Sequence, residues 1–136
     1  MQCTAKVEVV SETFGDRSDY LQIVLQRIRS RAQRPGVVFL DPDTGLEPAG
    51  VAGPQHVLDA EVEKIWAVLS PGDIIVFYQH QTNRNGMPWI EPKKLQLEQA
   101  LHVRKGAAKL AWAPGIATDV AFFYIEKEGK EIAPAG

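Results

Sequence analysis

Apolar and polar residues change period along this chain, and the changes mark its elements. Ala5, Val7 and Val9 alternate with Lys6 and Glu8, the two-residue period of a strand over Ala5 to Val10 with one covered face. From Ser18 to about Gln33 the period lengthens. Leu21, Val24, Leu25 and Ile28 recur at i, i+3, i+4 and i+7, the stripe of an amphipathic helix with Ser18 as its cap. Pro35 and Gly36 stop that helix ahead of a strand, Val37 to Asp41. A second helix, Asp59 to Leu69, is capped by Asp59 and carries Val62, Ile65, Trp66 and Leu69 at the same spacing. Ile74 to Tyr78 is a continuous apolar run, which predicts a central strand covered on both faces. Pro92 opens a third helix to Val103 with the stripe Leu97, Ala100 and Leu101, and Arg104, Lys105 and Gly106 form its basic, glycine-terminated end. Leu110 to Ala113 and Val120 to Ile125 are strands joined through Pro114 and Gly115, a connection too short for a helical crossover, so they pair antiparallel.

This order places the chain in the α/β class. It predicts a three-layer sandwich on a mostly parallel sheet of about five strands, ending in an antiparallel hairpin. Residues 1–127 form a single domain on this reading, and 128–136, EGKEIAPAG, are a loose tail with no periodicity.

Composition narrows the class of protein. The chain has 136 residues, of which 45% are hydrophobic and 24% charged, an ordinary globular balance. No window approaches the roughly 18 uninterrupted apolar residues of a membrane helix, and MQCTAKVEVV carries no secretion signal. A cytoplasmic location without membrane contact is the expectation. The single cysteine, Cys3, excludes an internal disulfide and a thiolate metal cage. A net charge of −2 gives no global attraction to nucleic acid, although Arg17, Arg27, Arg29, Arg31 and Arg34 crowd one segment. Arg27, Arg31 and Arg34 share a helical face, which more often is a solvated surface than a nucleic-acid contact.

The chemistry gathers around VVFLDPDTGLE, Val37 to Glu47, where a buried strand delivers carboxylates to its C-terminal mouth. In open α/β sheets, ligands sit in the crevice beyond those strand ends. Asp41, Asp43 and Glu47 suit a hard divalent cation, yet Gly45 and Ala52 break the calcium-loop pattern. Asp-Pro and Gly also build turns, which is the commoner use of such residues. His80 ends the neighbouring strand and His56 follows the acidic loop. Together with the acids they would form a crevice able to hold a metal through Asp41, Asp43 and His80, or to move protons near neutral pH. Either histidine could equally hydrogen-bond to a loop. The loop Gln79 to Trp89, with Gln81 and an exposed-looking Trp89, suits a base or sugar and equally a plain solvent loop. His102, inside the third helix, reads as structural. No serine elbow, phosphate loop or C-x-x-C pair is present.

Three crossovers followed by an antiparallel hairpin resemble the C-terminal half of a class I methyltransferase, a Rossmann-like fold whose last strand runs antiparallel to its neighbours. The resemblance covers roughly Val7 to Lys127. Asp41, Pro42, Asp43 and Thr44 stand where aminomethylating members carry a D-P-P-Y tetrapeptide, and Thr44 lacks the aromatic platform. The chain is also similar to a group of largely uncharacterised bacterial proteins with the pattern DPD, Asn or Thr, GLE, then HV and YQH, here Asp41 to Glu47, His56 with Val57, and Tyr78 to His80. No G-x-G-x-x-G follows any strand, so the resemblance implies a half-fold without the half that binds S-adenosylmethionine, and no organic cofactor is expected.

Three functions stay open. The leading expectation is a non-methylating module binding a small polar ligand or a protein partner at Asp41, Asp43, Glu47, His56, His80, Gln81 and Trp89. A metal-dependent phosphoesterase or nuclease would use the same groups. A purely structural assembly module would use an open sheet edge, and a homodimer is expected with the N-terminal strand and the Leu21, Val24, Leu25 and Ile28 helix at or near the contact.

Overall fold

The computed structural model describes residues 6–10, 15–32, 34–82 and 87–129. Helix α1 (Arg17–Ser30) begins one residue ahead of the expected cap, because the Asp16 carboxylate, not Ser18, accepts the Asp19 N–H at 2.9 Å. Leu21, Leu25 and Ile28 are buried and Val24 packs beside them, as the stripe requires. Arg31, in extended backbone, ends the helix, and the expected last residue, Gln33, lies outside the described residues. Strand β1 (Val37–Leu40) follows. Two short strands, β2 (Gly45–Leu46) and β3 (His56–Val57), then pair in parallel within a stretch that reads as loop in sequence.

Helix α2 (Asp59–Val68) has Leu58 at its cap position, so Asp59 is the first helical residue and not the cap. The free N–H groups of that end are met from elsewhere: Glu61 accepts from Leu58 at 2.8 Å and Glu47 accepts from Asp59 at 2.8 Å. Strand β4 (Ile74–His80) runs on to His80. Helix α3 (Ile90–Ala100) starts two residues before Pro92, which sits in the first turn where no intrahelical N–H is needed. It ends before Val103, since His102 adopts a left-handed φ of 56°. His102 is therefore outside the helix, exposed, with Nε2 3.3 Å from Glu63. Strands β5 (Lys109–Ala111) and β6 (Val120–Glu126) pair antiparallel.

The chain is mixed α/β, with a four-stranded sheet in the order β1-β4-β6-β5. β1 is parallel to β4, and β6, the last strand, lies between β4 and β5 and runs against both. Among the described residues the expected fifth strand is not formed: Ala5 lies outside them, and Lys6–Val10 join no sheet. The expected three layers are also corrected. Ile75, Phe77 and Gln79 of β4 stand opposite Ile125, Phe123 and Ala121 of β6, and all six are buried. The five apolar ones meet Leu21, Leu25, Ile28, Val62, Ile65, Leu69 and Leu97 in one cluster, so the three helices cover a single face.

The opposite face carries Val37, Phe39, Ile74, Val76, Tyr78, Phe122 and Tyr124, none of them fully buried. Val37 and Phe39 are 63% and 52% exposed. Ring contacts run across this face, Phe39 to Phe122 at 6.1 Å and Tyr78 to Phe122 at 5.1 Å between centroids. A continuous apolar run is consistent with double cover, but here only alternate residues receive it from the described elements.

Candidate functional site

The acidic loop is held by backbone bonds on both sides. The Thr44 N–H donates to Gln55 at 3.0 Å, the Glu47 N–H to Val57 at 2.9 Å, and the His80 N–H to Thr44 at 2.9 Å. These bonds join the mouth of β1 to β3 and to the end of β4. Gln79 completes the clamp from the buried face of β4. Its Oε1 accepts the Leu46 N–H at 3.0 Å and its Nε2 donates to the His80 carbonyl at 2.9 Å, so both ends of a buried amide are satisfied.

Beneath the loop lies a half-buried polar cluster. Lys93 on α3 donates from Nζ to the Leu46 carbonyl at 3.3 Å, the Glu47 carbonyl at 3.1 Å and Gln96 Oε1 at 3.0 Å. Gln96 donates in turn to the Glu47 carbonyl at 2.9 Å and to Asp59 Oδ1 at 2.8 Å. Burial pushes the Lys93 ammonium below its ordinary range, against the pull of Asp59 and Glu47. Burial likewise raises the Asp59 carboxyl. The bond from Gln96 opposes that rise, the charge of Glu47 adds to it, and Lys93 opposes it. The cluster ties α2, α3 and β2 together, and its charges are satisfied by backbone groups and by the Gln96 amide.

The expected site residues divide accordingly. Glu47 caps α2. His56 accepts the Gly53 N–H at its Nδ1, 3.0 Å away, and its carbonyl receives Arg17 at 3.3 Å, so its ring serves the loop it sits in. Trp89, expected to be exposed, is 8% exposed and part of the core. Its large ring packs at the start of α3 and leaves no open platform for a base or sugar. Asp41 and Asp43 are exposed and have no hydrogen-bond or ion-pair partner among the described residues. Gln81, also exposed, donates its N–H to Asp119 at 2.8 Å. His80 stands edge-on to Tyr78 at 4.7 Å, on the uncovered face of the sheet. Among the described residues no group of three His, Cys, Asp or Glu side chains is placed to share a metal ion. Asp41, Asp43 and His80 are not gathered into a ligand set.

The arginines of the expected face are also engaged. Arg31 pairs with buried Asp73, and Arg34 donates to Ser70 Oγ at 3.0 Å and to the Arg29 carbonyl at 3.3 Å. Because α1 ends at Ser30, Arg31 and Arg34 lie beyond it and share no helical face with Arg27; they tie the segment after α1 to the turn before β4.

Gln79, Lys93 and Gln96 organise this region, and none stood out from the sequence as a site residue. A signal was there for two of them. Gln79 continues the period of Ile75 and Phe77, and Lys93 lies four residues before Leu97 on the α3 stripe, so both are polar residues at core positions. Comparison with protein-family models, curated proteins and solved structures gives no match to this chain.

Proposed function

We propose that the chain is an assembly module: an α/β half-sandwich that docks a second copy of itself through its uncovered sheet face and the adjoining β1 edge. The observation that carries this reading is the apolar sheet face that no described helix covers, with Val37 and Phe39 exposed and Val76, Tyr78, Phe122 and Tyr124 half-buried. A sheet hydrophobic on both faces is stable when both are covered, and exposed contiguous apolar patches mark interaction sites. The strand order supports the methyltransferase-like half-fold, since β6 comes last and runs against both neighbours.

The polar-ligand crevice is the weaker reading. Glu47 and His56 are engaged in the fold and Trp89 is buried, which leaves Asp41, Asp43, His80 and Gln81 at the mouth. Light scattering at micromolar concentration tests the assembly reading. About twice the 15.0 kDa chain mass is expected if the contact reaches the ~1,200 Å² of stable pairs. A monomer across that range would overturn it.

A further inference from the structure

The β1 edge has a specific occupant within the same sequence. β1 pairs with β4 on one side and is the end strand of its sheet. Its sequence, VVFL, contains no charge and no proline, the devices that ordinarily protect an edge from pairing. Its helix-facing side chains pack against the core but are less covered than those of β4. Val38 and Leu40 are only half-buried, whereas Ile75 and Phe77, their partners on β4, are fully buried. The core therefore thins at β1, where Val38 and Leu40 leave room for one more row of apolar side chains at the edge.

Lys6–Val10 has the shape of that row. Val7 and Val9 are 83% and 72% exposed, although valines at a two-residue spacing are strand formers. Lys6 Nζ lies 3.7 Å from Glu8 Oε1. An i, i+2 ion pair puts both charges on one side, which is extended backbone with the valines on the other. The segment spans five residues against the four of β1. It is thus a strand in period and geometry that stands off the sheet of its own subunit.

We infer that Lys6–Val10 of each copy adds to the β1 edge of the other, with Val7 and Val9 beside Val38 and Leu40. Lys6 and Glu8 then lie on the opposite side, at the rim of the contact, where their charged ends reach water. A reciprocal exchange closes on a two-fold axis and repeats the same contact twice, so it stops at a dimer. Main-chain bonds along β1 supply affinity and the two valines supply register. This inference rests on the assembly reading and specifies where the second copy is gripped.

The full-length variant Val7→Pro with Val9→Pro tests it. Both positions are exposed and outside the core, so the subunit fold is retained, while each proline removes an N–H and blocks pairing. The expected result is a dimer for the parent chain and loss of the dimer in the variant, with both chains giving the same melting transition at high dilution. As a second measurement, Val7–Val10 amides of the parent should be protected from hydrogen exchange at high concentration and lose that protection on dilution. A variant that stays dimeric overturns the strand exchange and leaves the assembly reading intact. A parent chain that is monomeric throughout overturns both. Amide protection that does not depend on concentration assigns the strand to its own subunit and overturns the exchange.

Discussion

Gln79 occupies the space that a side chain at Gly45 would need: a Cβ built there runs into the Gln79 amide. Gly45 has a φ of +141°, outside the range of ordinary L-residues. The glycine is thus fixed twice, by backbone conformation and by the amide that clamps Leu46. Gly45→Ala is expected to destabilise the fold by about 3 kcal/mol, combining backbone strain with overpacking. Gln79→Ala should cost less, about 2 kcal/mol, for the unpaired Leu46 N–H. Because the second change removes the clash, the double variant should fall short of the sum in urea denaturation. Strict additivity would show that the two residues do not compete for this space.

Lys93 offers a second test of the loop's support. It is the buried cation from which Leu46, Glu47 and Gln96 all receive a hydrogen bond. Lys93→Met keeps the length of the chain and removes the bonds to the Leu46 carbonyl and Gln96 Oε1, while the Glu47 carbonyl keeps its bond from Gln96, for an expected loss of about 2 kcal/mol. Lys64→Met, at an exposed position on α2, should change stability by no more than about 0.5 kcal/mol. Equal effects of the two substitutions in denaturant titration would remove Lys93 from the set of residues that hold the loop.

Acid sensitivity should trace to Asp73. Burial alone would raise its carboxyl, but the N–H groups of Gly36 at 2.8 Å and Ser70 at 2.6 Å, together with the Arg31 guanidinium, hold it below its ordinary value of 3.8. A folded-state pKa below the unfolded one means that the unfolded chain binds the proton more readily. The resulting stability is present above 3.8 and is lost as pH falls through the folded value. Asp59, whose carboxyl is raised, contributes in the opposite sense, its stabilisation being present below 3.8 and lost as pH rises through its folded value. Asp73→Asn should therefore lower the melting temperature most at neutral pH, with the gap to the parent narrowing below about pH 4. A gap that widens in acid would contradict this assignment.

How far the sequence could be read depends on how local each cause was. The α1 stripe and the stop at Pro35 and Gly36 are local, and Leu21, Leu25 and Ile28 are buried as their spacing requires. Helix starts were misplaced where the acceptor is remote or off by two residues: Asp59 looks like a cap, but the carboxylate at that end comes from Glu47, twelve residues earlier. The run Ile74 to Tyr78 has no period, so it cannot reveal that alternate residues are left uncovered. Lys6–Val10 has the right period and, among the described residues, no strand beside it. At the mouth of β1 the acids were visible as acids. Their use was not, because the partners of Glu47 lie on two helices that the chain reaches only later.

Phe39 provides the sharpest separation between folding and assembly. Its ring is 6.1 Å from that of Phe122 on the uncovered face, and more than half of the residue is exposed within the subunit. A charge placed there meets water in the monomer, so Phe39→Lys should cost the subunit fold no more than about 1 kcal/mol. In a dimer formed through this face the same ammonium would be buried against apolar side chains without a partner, a far larger penalty. The expected outcome is a monomer by light scattering, with helix and strand content unchanged by circular dichroism. A Phe39→Lys chain that dimerises as tightly as the parent would show that the exposed face takes no part in the contact, and the β1 edge alone would then have to hold the pair.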